Sequence, residues 1–292
     1  MNNILRLALA GVLIGSYGTS LGCLAGEDKF AEVEITATKL TDHVYMLSGA
    51  GGNIGVSAGE DGLLIIDDQF APLADKISTA LANIQPGKPK YIVNTHYHGD
   101  HTGGNRIFGQ QGIIFAHDNV LKRLASDEDY SKQALPSITY DQGIKIHFNG
   151  DTLSLMYLPA GHTDGDSVIF WHDAPVVHMG DLFFKDRFPF IDLKAGGSVV
   201  GFRDNVATLL AKIDDEAKII PGHGGLANKQ DLIKFKQMLD TSIDWMNTQL
   251  KSGKSLDAIK QQGLPEKLKQ WEWRFISQET WIETLYSGLK AN

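Results

Sequence analysis

The stretch "NTHYHGDHTGGN", residues 94–105, places three histidines and one aspartate within six consecutive positions. Residues two apart in an extended chain point the same way, so His96 and His98 should face one side together. The neighbouring glycines let the backbone curl, so that Asp100 and His101 can face a second point nearby. Imidazole and carboxylate donors suit Zn, Fe or Mn, and this arrangement suits two ions better than one. Taken alone, the stretch is also compatible with an exposed polar loop.

Three isolated residues further along the chain strengthen the metal interpretation. They are His162 in "PAGHTDGD", Asp181 in "HMGDLFF" and His223 in "IPGHGG". Each follows a strand-like run and stands in a loop bordered by glycine, and functional sites collect in loops at strand ends. We therefore predict that these three residues join the motif at one metal centre.

The chain as a whole reads as short strands followed by a helix, twice over, without internal repeats. The predicted strands are residues 32–38, 43–49, 53–59, 62–68, 90–95, 112–117, 167–172 and 175–181, a last short one in "AKII", and a hairpin over 144–159 that turns at Asn149-Gly150. The predicted helices are residues 72–84, beginning near Pro72, 118–125, capped by Asp118, then 200–213, 228–251 and a helical tail over 255–289. This order predicts two mixed β/α layers packed face to face.

Composition limits the classes of partner. The chain has 292 residues, 42% of them hydrophobic and 21% charged, and a formal net charge of −8. An acidic surface repels polyphosphates, which argues against nucleic acid as the main partner. We expect a small-molecule substrate and no membrane span.

The N-terminus has the order of an export signal. Arg6 precedes an apolar run over residues 7–14, and small residues follow up to Ala25. We predict a signal peptide over residues 1–25 and a periplasmic or secreted protein; a buried N-terminal helix is the alternative. The only cysteine, Cys23, lies at this boundary in a weak lipoprotein box, because Ser20 stands where Leu is usual. Lipidation at Cys23 is therefore the less favoured outcome.

Two regions follow the signal in this prediction, a catalytic domain over residues 26–252 and a helical extension over 253–292 packed on the same domain. The extension carries three tryptophans and one phenylalanine, which we predict to be core contacts. They are Trp271, Trp273, Phe275 and Trp281.

On these motifs, residues 38–239 resemble a metallo-β-lactamase-fold hydrolase of the dinuclear type with a bridging Asp. The resemblance implies an α/β (α+β) fold, a four-layer αβ/βα sandwich with the metals in a cleft at the edges of the sheets. It implies two Zn²⁺ per chain, with Fe or Mn also compatible, and Asp100 and Asp181 as catalytic residues. It further implies that the first metal is bound by His96, His98 and His162, the second by Asp100, His101 and His223, and both by the bridging Asp181.

The resemblance implies an exported hydrolase that cleaves an ester, lactone, thioester or lactam with a metal-bridging hydroxide. The β-lactamases with a substrate-binding lysine carry it three residues after the position of Asp181. In this chain Phe184 occupies that position, and the nearest lysine, Lys185, is one residue further along the sequence. A genuine periplasmic β-lactamase and a non-catalytic periplasmic metal-binding protein with the same fold remain the alternatives.

Residues 182–198 directly follow the bridging position and contain four phenylalanines. This segment is compatible with a wall of the cleft and equally with a buried hydrophobic segment. As substrate-binding candidates we predict Phe184, Lys185 and Arg187, the two cations for an anionic substrate group.

Overall fold

The structure is a computed structural model and describes residues 29–290. The predicted signal peptide and Cys23 lie outside the described residues. Both sheets and all the helices below belong to one unit that begins at Val33, and before it only a turn at residues 29–32 is described. Within residues 29–290, no helix is both long and apolar enough to cross a bilayer.

The first sheet has seven strands in the order β1-β2-β3-β4-β5-β6-β7. They are β1 (Thr36–Lys39), β2 (Val44–Ser48), β3 (Ile54–Gly59), β4 (Gly62–Ile66), β5 (Pro89–Val93), β6 (Ile113–His117) and β7 (Ile138–Tyr140). Strands β1 to β4 form an antiparallel meander, whereas β4 to β7 run parallel. The apolar run of β4 is almost entirely buried, as expected of a parallel strand covered on both faces.

The second sheet has five strands in the order β12-β11-β10-β9-β8. They are β8 (Gly143–Phe148), β9 (Asp151–Tyr157), β10 (Ser167–Trp171), β11 (Val176–His178) and β12 (Lys218–Ile220). The β8–β9 hairpin turns at Asn149 and Gly150, both with positive φ (55° and 76°), as two-residue hairpin turns favour. Strands β11 and β12 are parallel, so their carboxyl ends lie side by side.

The two sheets face each other across one hydrophobic core. The first sheet contributes residues such as Leu64, Ile66 and Val93, and the second contributes residues such as Leu155 and Ile169. Alternate residues of the first sheet, such as Ile65 and Ile92, are also fully buried. Since successive side chains of a strand point to opposite faces, this sheet is covered on both sides.

Helices cover the outer faces. They are α1 (Ala74–Ile84), α2 (Gly99–Thr102), α3 (Asn105–Phe108), α4 (Asp118–Leu124), α5 (Val199–Lys212), α6 (Lys229–Lys251), α7 (Leu256–Gln262), α8 (Glu266–Lys269) and α9 (Gln278–Lys290). Helices α3 and α4 contact strands β5 and β6 of the first sheet. Helices α5, α6 and α9 pack on the second sheet in a core that contains Val177, Phe202, Phe235 and Leu285. The predicted four-layer αβ/βα sandwich is confirmed.

Three local predictions were wrong. The first strand begins at Thr36, not at residue 32. Helix α1 begins at Ala74, because Pro72 lies in a separate 3₁₀ turn, Ala71–Leu73. Helix α4 is capped by His117, whose side chain accepts a hydrogen bond from the backbone N–H of Asn119; Asp118 is its first helical residue.

The tail is not one helical region. Residues 270–277, between α8 and α9, are non-helical and carry three of the four tail aromatics. Trp281 is fully buried, stacks on Phe188 and donates from Nε1 to Oγ of Ser242 at 3.1 Å. Trp273 is half-buried, but Phe275 is 61% exposed, so the prediction of a core contact is wrong for Phe275. The predicted domain boundary at residue 252 stays a prediction.

Candidate metal centre

The seven predicted metal ligands meet at one edge of the sandwich, at the carboxyl ends of strands. The motif follows β5 and leads into α2, so that His96 and His98 precede the helix and Asp100 and His101 lie within it. The other three positions follow strands of the second sheet, namely β9 for His162, β11 for Asp181 and β12 for His223. The three segments of the second sheet leave it at one edge, because β9 and β11 are both antiparallel to β10 and β12 is parallel to β11.

A first donor group consists of His96, His98, His162 and one carboxylate oxygen of Asp181. Nδ1 of His98 lies 2.8 Å from Nε2 of His162. Oδ2 of Asp181 lies 3.3 Å from Nε2 of His162 and 3.8 Å from Nε2 of His96. These ligand atoms all lie within 4.8 Å of one another, close enough to share one cation.

A second donor group consists of Asp100, His101 and His223. Nε2 of His223 lies 3.3 Å from Oδ2 of Asp100. The other oxygen of Asp181, Oδ1, lies 3.1 Å from Nε2 of His101 and 3.4 Å from Nε2 of His223. One oxygen of Asp181 therefore faces each group, which is the arrangement that a bridging carboxylate needs.

Hydrogen bonds on the far side of four imidazoles fix which nitrogen faces the cluster. The contacts are His96 Nδ1 to Thr95 Oγ1 (3.0 Å), His98 Nε2 to Asp192 Oδ2 (3.1 Å), His162 Nδ1 to the carbonyl of Phe190 (2.8 Å) and His101 Nδ1 to Asp67 Oδ2 (2.7 Å). Since a neutral imidazole that donates from one nitrogen accepts at the other, each ring in its neutral form presents a lone pair to the cluster. The hydroxyl of Thr95 in turn donates to Asp67 at 2.8 Å.

Buried polar atoms without hydrogen bonds point to a cation. Nε2 of His96, Nε2 of His101 and Oδ1 of Asp181 are all buried and form no hydrogen bond of acceptable geometry. A buried acceptor without a partner costs about 1–3 kcal/mol, so three in one cluster require compensation. The donor set, five imidazoles and two carboxylates, fits two divalent cations such as Zn²⁺.

Histidines of the two donor groups have pKa values that are shifted in opposite directions. Burial lowers the pKa of His96 and lowers that of His162 to about 4, so both imidazoles are neutral and ready to bind a metal at neutral pH. Burial opposes protonation of His223 as well, but the carboxylates of Asp181 and Asp100 outweigh it and raise its pKa to about 9. Burial would raise the pKa of Asp181, yet the surrounding histidines hold it well below its usual range. Asp181 is therefore an anion in this cluster.

The loop of His223 lies close against Asp181. Asn53 holds this loop through its side-chain amide, which donates to the carbonyls of Pro221 and Gly224. A Cβ atom at Gly222 would lie 2.0 Å from Oδ1 of Asp181. Only glycine at position 222 permits this approach of the loop to the carboxylate.

Sequence reasoning missed Asp67 and Asp192, the two carboxylates that hold His101 and His98. Asp67 follows β4 and is fully buried. Its φ is +63°, and that of Gln69 is +56°, in the left-handed region that non-glycine residues rarely occupy. The available signal was the acidic pair that ends the apolar run "GLLII" in the sequence.

The three substrate-binding candidates have different surroundings. Phe184 is buried, and its ring stacks on His223 with centroids 5.0 Å apart. The ammonium of Lys185 forms an ion pair with Asp231 at 3.2 Å and donates to the carbonyl of Leu226. The guanidinium of Arg187 lies 4.9 Å from the ring centroid of Trp273. Their roles towards a substrate stay predictions.

Comparison with known proteins agrees with this geometry. The family model described as the metallo-beta-lactamase superfamily matches residues 49–223, more than half of the chain. The chain is 25% identical over 189 residues to the "Beta-lactamase-like protein 2 homolog" of Caenorhabditis elegans, covering 64% of this chain and 57% of that one. It is 27% identical over 164 residues to a hydroxyacylglutathione hydrolase of Polaromonas sp., covering 54% and 57%.

The fold has solved counterparts as well. A metallo-beta-lactamase from Pontibacter korlensis superposes with a TM-score of 0.61 at 16% identity, covering 71% of this chain and 99% of that one. The two curated relatives are matched over little more than half of their own length. From the family match over residues 49–223 and the shared fold, the chain belongs to the metallo-beta-lactamase superfamily.

Proposed function

We propose that the protein is an exported, dinuclear zinc hydrolase that cleaves an activated acyl bond in an ester, lactone, thioester or strained lactam. The observation that carries the proposal is the position of Asp181, with one oxygen towards each donor group. When bound, two divalent cations supply Lewis acidity and an activated water nucleophile. The name of the Polaromonas relative, a hydroxyacylglutathione hydrolase, supports hydrolysis of an acyl compound as the reaction class.

Asp100 suggests which leaving groups are suitable. Burial would raise the pKa of its carboxyl, but His101 and His223 outweigh burial and lower it. Its side chain is 27% exposed, so the carboxylate reaches the open side of the cluster. An ionised Asp100 can accept a proton from an attacking water, but before that step it has no proton to donate to a leaving group. Substrates with leaving groups of low pKa need no donor and are therefore favoured.

A dedicated β-lactamase is the weaker candidate. Phe184, at the position of the β-lactamase lysine, is buried and stacked on His223. Lys185 is engaged by Asp231, so it would have to leave an ion pair to bind the carboxylate of a β-lactam. A lost charge-assisted contact of this kind is worth about 1.5–3 kcal/mol, or roughly ten- to a hundredfold in binding. Arg187, whose guanidinium lies over the ring of Trp273, is the cation that we propose for an anionic substrate group.

The test is a kcat/KM comparison on zinc-loaded full-length protein with aryl esters, lactones, thioesters and β-lactams. We expect close to two zinc equivalents per chain and faster turnover of esters, thioesters or lactones than of β-lactams. His98→Ala and Asp181→Asn should lose activity by about a thousandfold or more, because each opens a donor group. His147→Ala is the matched control, since His147 is exposed on the β8–β9 hairpin.

Three results would contradict the proposal. A single zinc equivalent that added metal does not increase would refute the dinuclear site. Efficient cleavage of β-lactams without activity on esters, thioesters or lactones would identify a dedicated β-lactamase. Tight zinc binding with no turnover across the panel would identify a non-catalytic metal-binding protein.

Export is part of the proposal and has its own measurement. N-terminal sequencing of the protein from the cell envelope should find a start between residues 23 and 27. A mature protein that retains Met1 would contradict export, and a lipid-modified Cys23 would identify a lipoprotein.

A further inference from the structure

Three aromatic side chains lie beside the metal centre and form what we call the aromatic patch, Phe190, Trp273 and Phe275. The ring of Phe275 lies 5.7 Å from that of Phe190 and 5.6 Å from that of Trp273, centroid to centroid. Phe190 follows the bridging Asp181 by nine residues, whereas the other two come from the non-helical segment 270–277 of the tail. The patch therefore joins two distant parts of the chain.

Hydrogen bonds hold the tail segment in place. The backbone N–H of Phe188 donates to the carbonyl of Trp271 at 2.7 Å, and Nε1 of Trp273 donates to the carbonyl of Phe188 at 2.9 Å. The backbone N–H of Trp273 also donates to the carbonyl of Ile276. The tail is thus tied to the segment that begins at the bridging aspartate, and the patch is preorganised.

The patch contacts both donor groups. The ring of Phe190 lies 5.6 Å from that of His98 and 5.8 Å from that of His162 in the first group. The ring of Trp273 lies 6.1 Å from that of His223 in the second group. A substrate whose reacting carbonyl lies between the two groups would therefore have these rings next to one of its substituents.

The outer part of the patch is exposed. Phe275 is 61% exposed, whereas the other exposed large hydrophobic side chains within residues 29–290, Ile113 and Ile138, are 42% and 36% exposed. Those two belong to strands β6 and β7 of the first sheet. An exposed phenylalanine that continues a row of rings leading from the metal ligands has the character of a binding surface.

We propose that the aromatic patch is the subsite for an apolar group of the substrate, and that it makes the enzyme selective for phenyl or medium-chain alkyl substituents over methyl. The inference rests on the proposed hydrolytic function and specifies its substrate class. Aromatic side chains bind such groups through apolar contact and ring stacking, and they lose little conformational entropy in doing so. The tail supplies two of the three rings, so it is a determinant of specificity.

The first experiment compares kcat/KM for 4-nitrophenyl hexanoate and 4-nitrophenyl acetate on zinc-loaded protein. Wild type should prefer the hexanoate, and Phe275→Ala should lower the ratio of the two values by roughly tenfold. Phe275→Leu, which keeps an apolar side chain, should retain most of the preference. Ile113→Ala removes another exposed apolar residue, 42% exposed and away from the site, and should leave the ratio unchanged. An unchanged ratio in Phe275→Ala and in Trp273→Ala would overturn the inference.

A second experiment needs no turnover and separates this inference from the proposed function. The affinities of 2-phenylethanethiol and ethanethiol for the zinc-loaded protein are measured by calorimetry, since both thiols bind zinc and differ in the apolar group. We expect wild type to bind the phenyl compound at least tenfold more tightly, and Phe275→Ala to lose this preference. If the preference is present but no ester is cleaved, the subsite stands and the hydrolase proposal fails. Equal affinities in wild type would overturn the subsite. Zinc content and Tm of each variant confirm that it is folded and loaded.

Discussion

The carboxylate of Asp67 lies 2.7 Å from Nδ1 of His101, and both side chains are completely buried. The same carboxylate accepts hydrogen bonds from the backbone N–H and the hydroxyl of Thr95, each at 2.8 Å. Asp67 thereby fixes the ring of His101, so that Nε2 faces Asp181. It also holds the residue that precedes the motif histidines.

We expect Asp67→Ala to weaken zinc binding at the second donor group by about ten- to a hundredfold, because His101 loses its orienting partner. The first group should be weakened less, because Asp67 reaches it only indirectly, through Thr95 and His96, whereas His98 and His162 are held by other partners. Competitive titration with a zinc chelator measures both affinities. Asp42→Asn, an exposed carboxylate on the surface, is the control. Equal weakening at both groups would mean that Asp67 acts through the fold alone.

Asp192 has the corresponding relationship with His98 in the first group. Its Oδ2 accepts from Nε2 of His98 and from the hydroxyl of Tyr97 at 2.7 Å. Burial and the hydrogen bond to Asp192 raise the pKa of Tyr97 to about 12, so the hydroxyl remains a donor at neutral pH. The hydroxyl of Tyr97 thus holds the carboxylate of Asp192 in place, and that carboxylate turns Nδ1 of His98 towards the cluster.

The second prediction follows from this arrangement. Asp192→Asn should weaken zinc binding at the first group by about ten- to a hundredfold, and Tyr97→Phe by less than tenfold, because it removes only one bond to the carboxylate. Replacing zinc by Co²⁺ gives a visible spectrum that reports which group is altered. A spectrum and affinity identical to wild type in Asp192→Asn would show that His98 needs no such partner.

The third prediction concerns the close approach of the His223 loop. Gly222→Ala places a Cβ 2.0 Å from Oδ1 of Asp181, so the carboxylate or the loop must shift. A displacement of about 1 Å at a catalytic group costs about a hundredfold in rate, and we expect a loss of this size in kcat/KM. Gly225→Ala is the matched control on the same loop, since a Cβ there meets nothing within 4 Å. Comparable losses in the two variants would contradict the geometric explanation.

The convergence of the seven candidate ligand positions could be predicted because their signals are local. His96, His98, Asp100 and His101 lie within one short motif, and glycines and strand ends mark the remaining positions. Asp67 and Asp192 could not be predicted in the same way. Their contacts depend on the parallel register of β4 on β5 and on the path of the chain after Asp181, which no short spacing encodes.

In the tail, over residues 255–289, the prediction of helical structure was wrong for residues 270–277. Trp271, Trp273 and Phe275 are each two residues apart, which is the period of an extended chain rather than of a helix. The prediction of a helical tail over residues 255–289 does not account for this alternation. Hydrophobicity alone also cannot distinguish a core residue from a residue of an apolar binding surface, and Phe275 is exposed.

The last prediction is a pH dependence of stability that arises away from the metal centre. Asp151, at the start of β9, is buried, and its carboxylate accepts hydrogen bonds from the backbone N–H groups of Thr152, His172, Asp173 and Ala174. Burial would raise the pKa of Asp151, but these backbone bonds and the neighbouring His43 outweigh burial and lower it. A carboxyl whose pKa is lower in the folded state contributes stability that is fully present above its unfolded pKa. This contribution is lost as the pH falls through the folded value.

We therefore expect Asp151→Ala to lower the free energy of unfolding at pH 7 by on the order of 3 kcal/mol, because several backbone donors lose a charged acceptor. The difference from wild type should begin to shrink as the pH falls below about 4, the unfolded pKa of an aspartate, and should shrink further as the pH passes through the lower folded value. Urea unfolding of both proteins between pH 7 and pH 3, in the presence of a chelator so that metal binding does not contribute, measures it. Asp173→Ala serves as the control, because Asp173 is exposed on the same turn and its side chain caps none of these N–H groups. A difference that stays constant down to pH 3 would show that Asp151 stabilises the turn by packing and not through its charge.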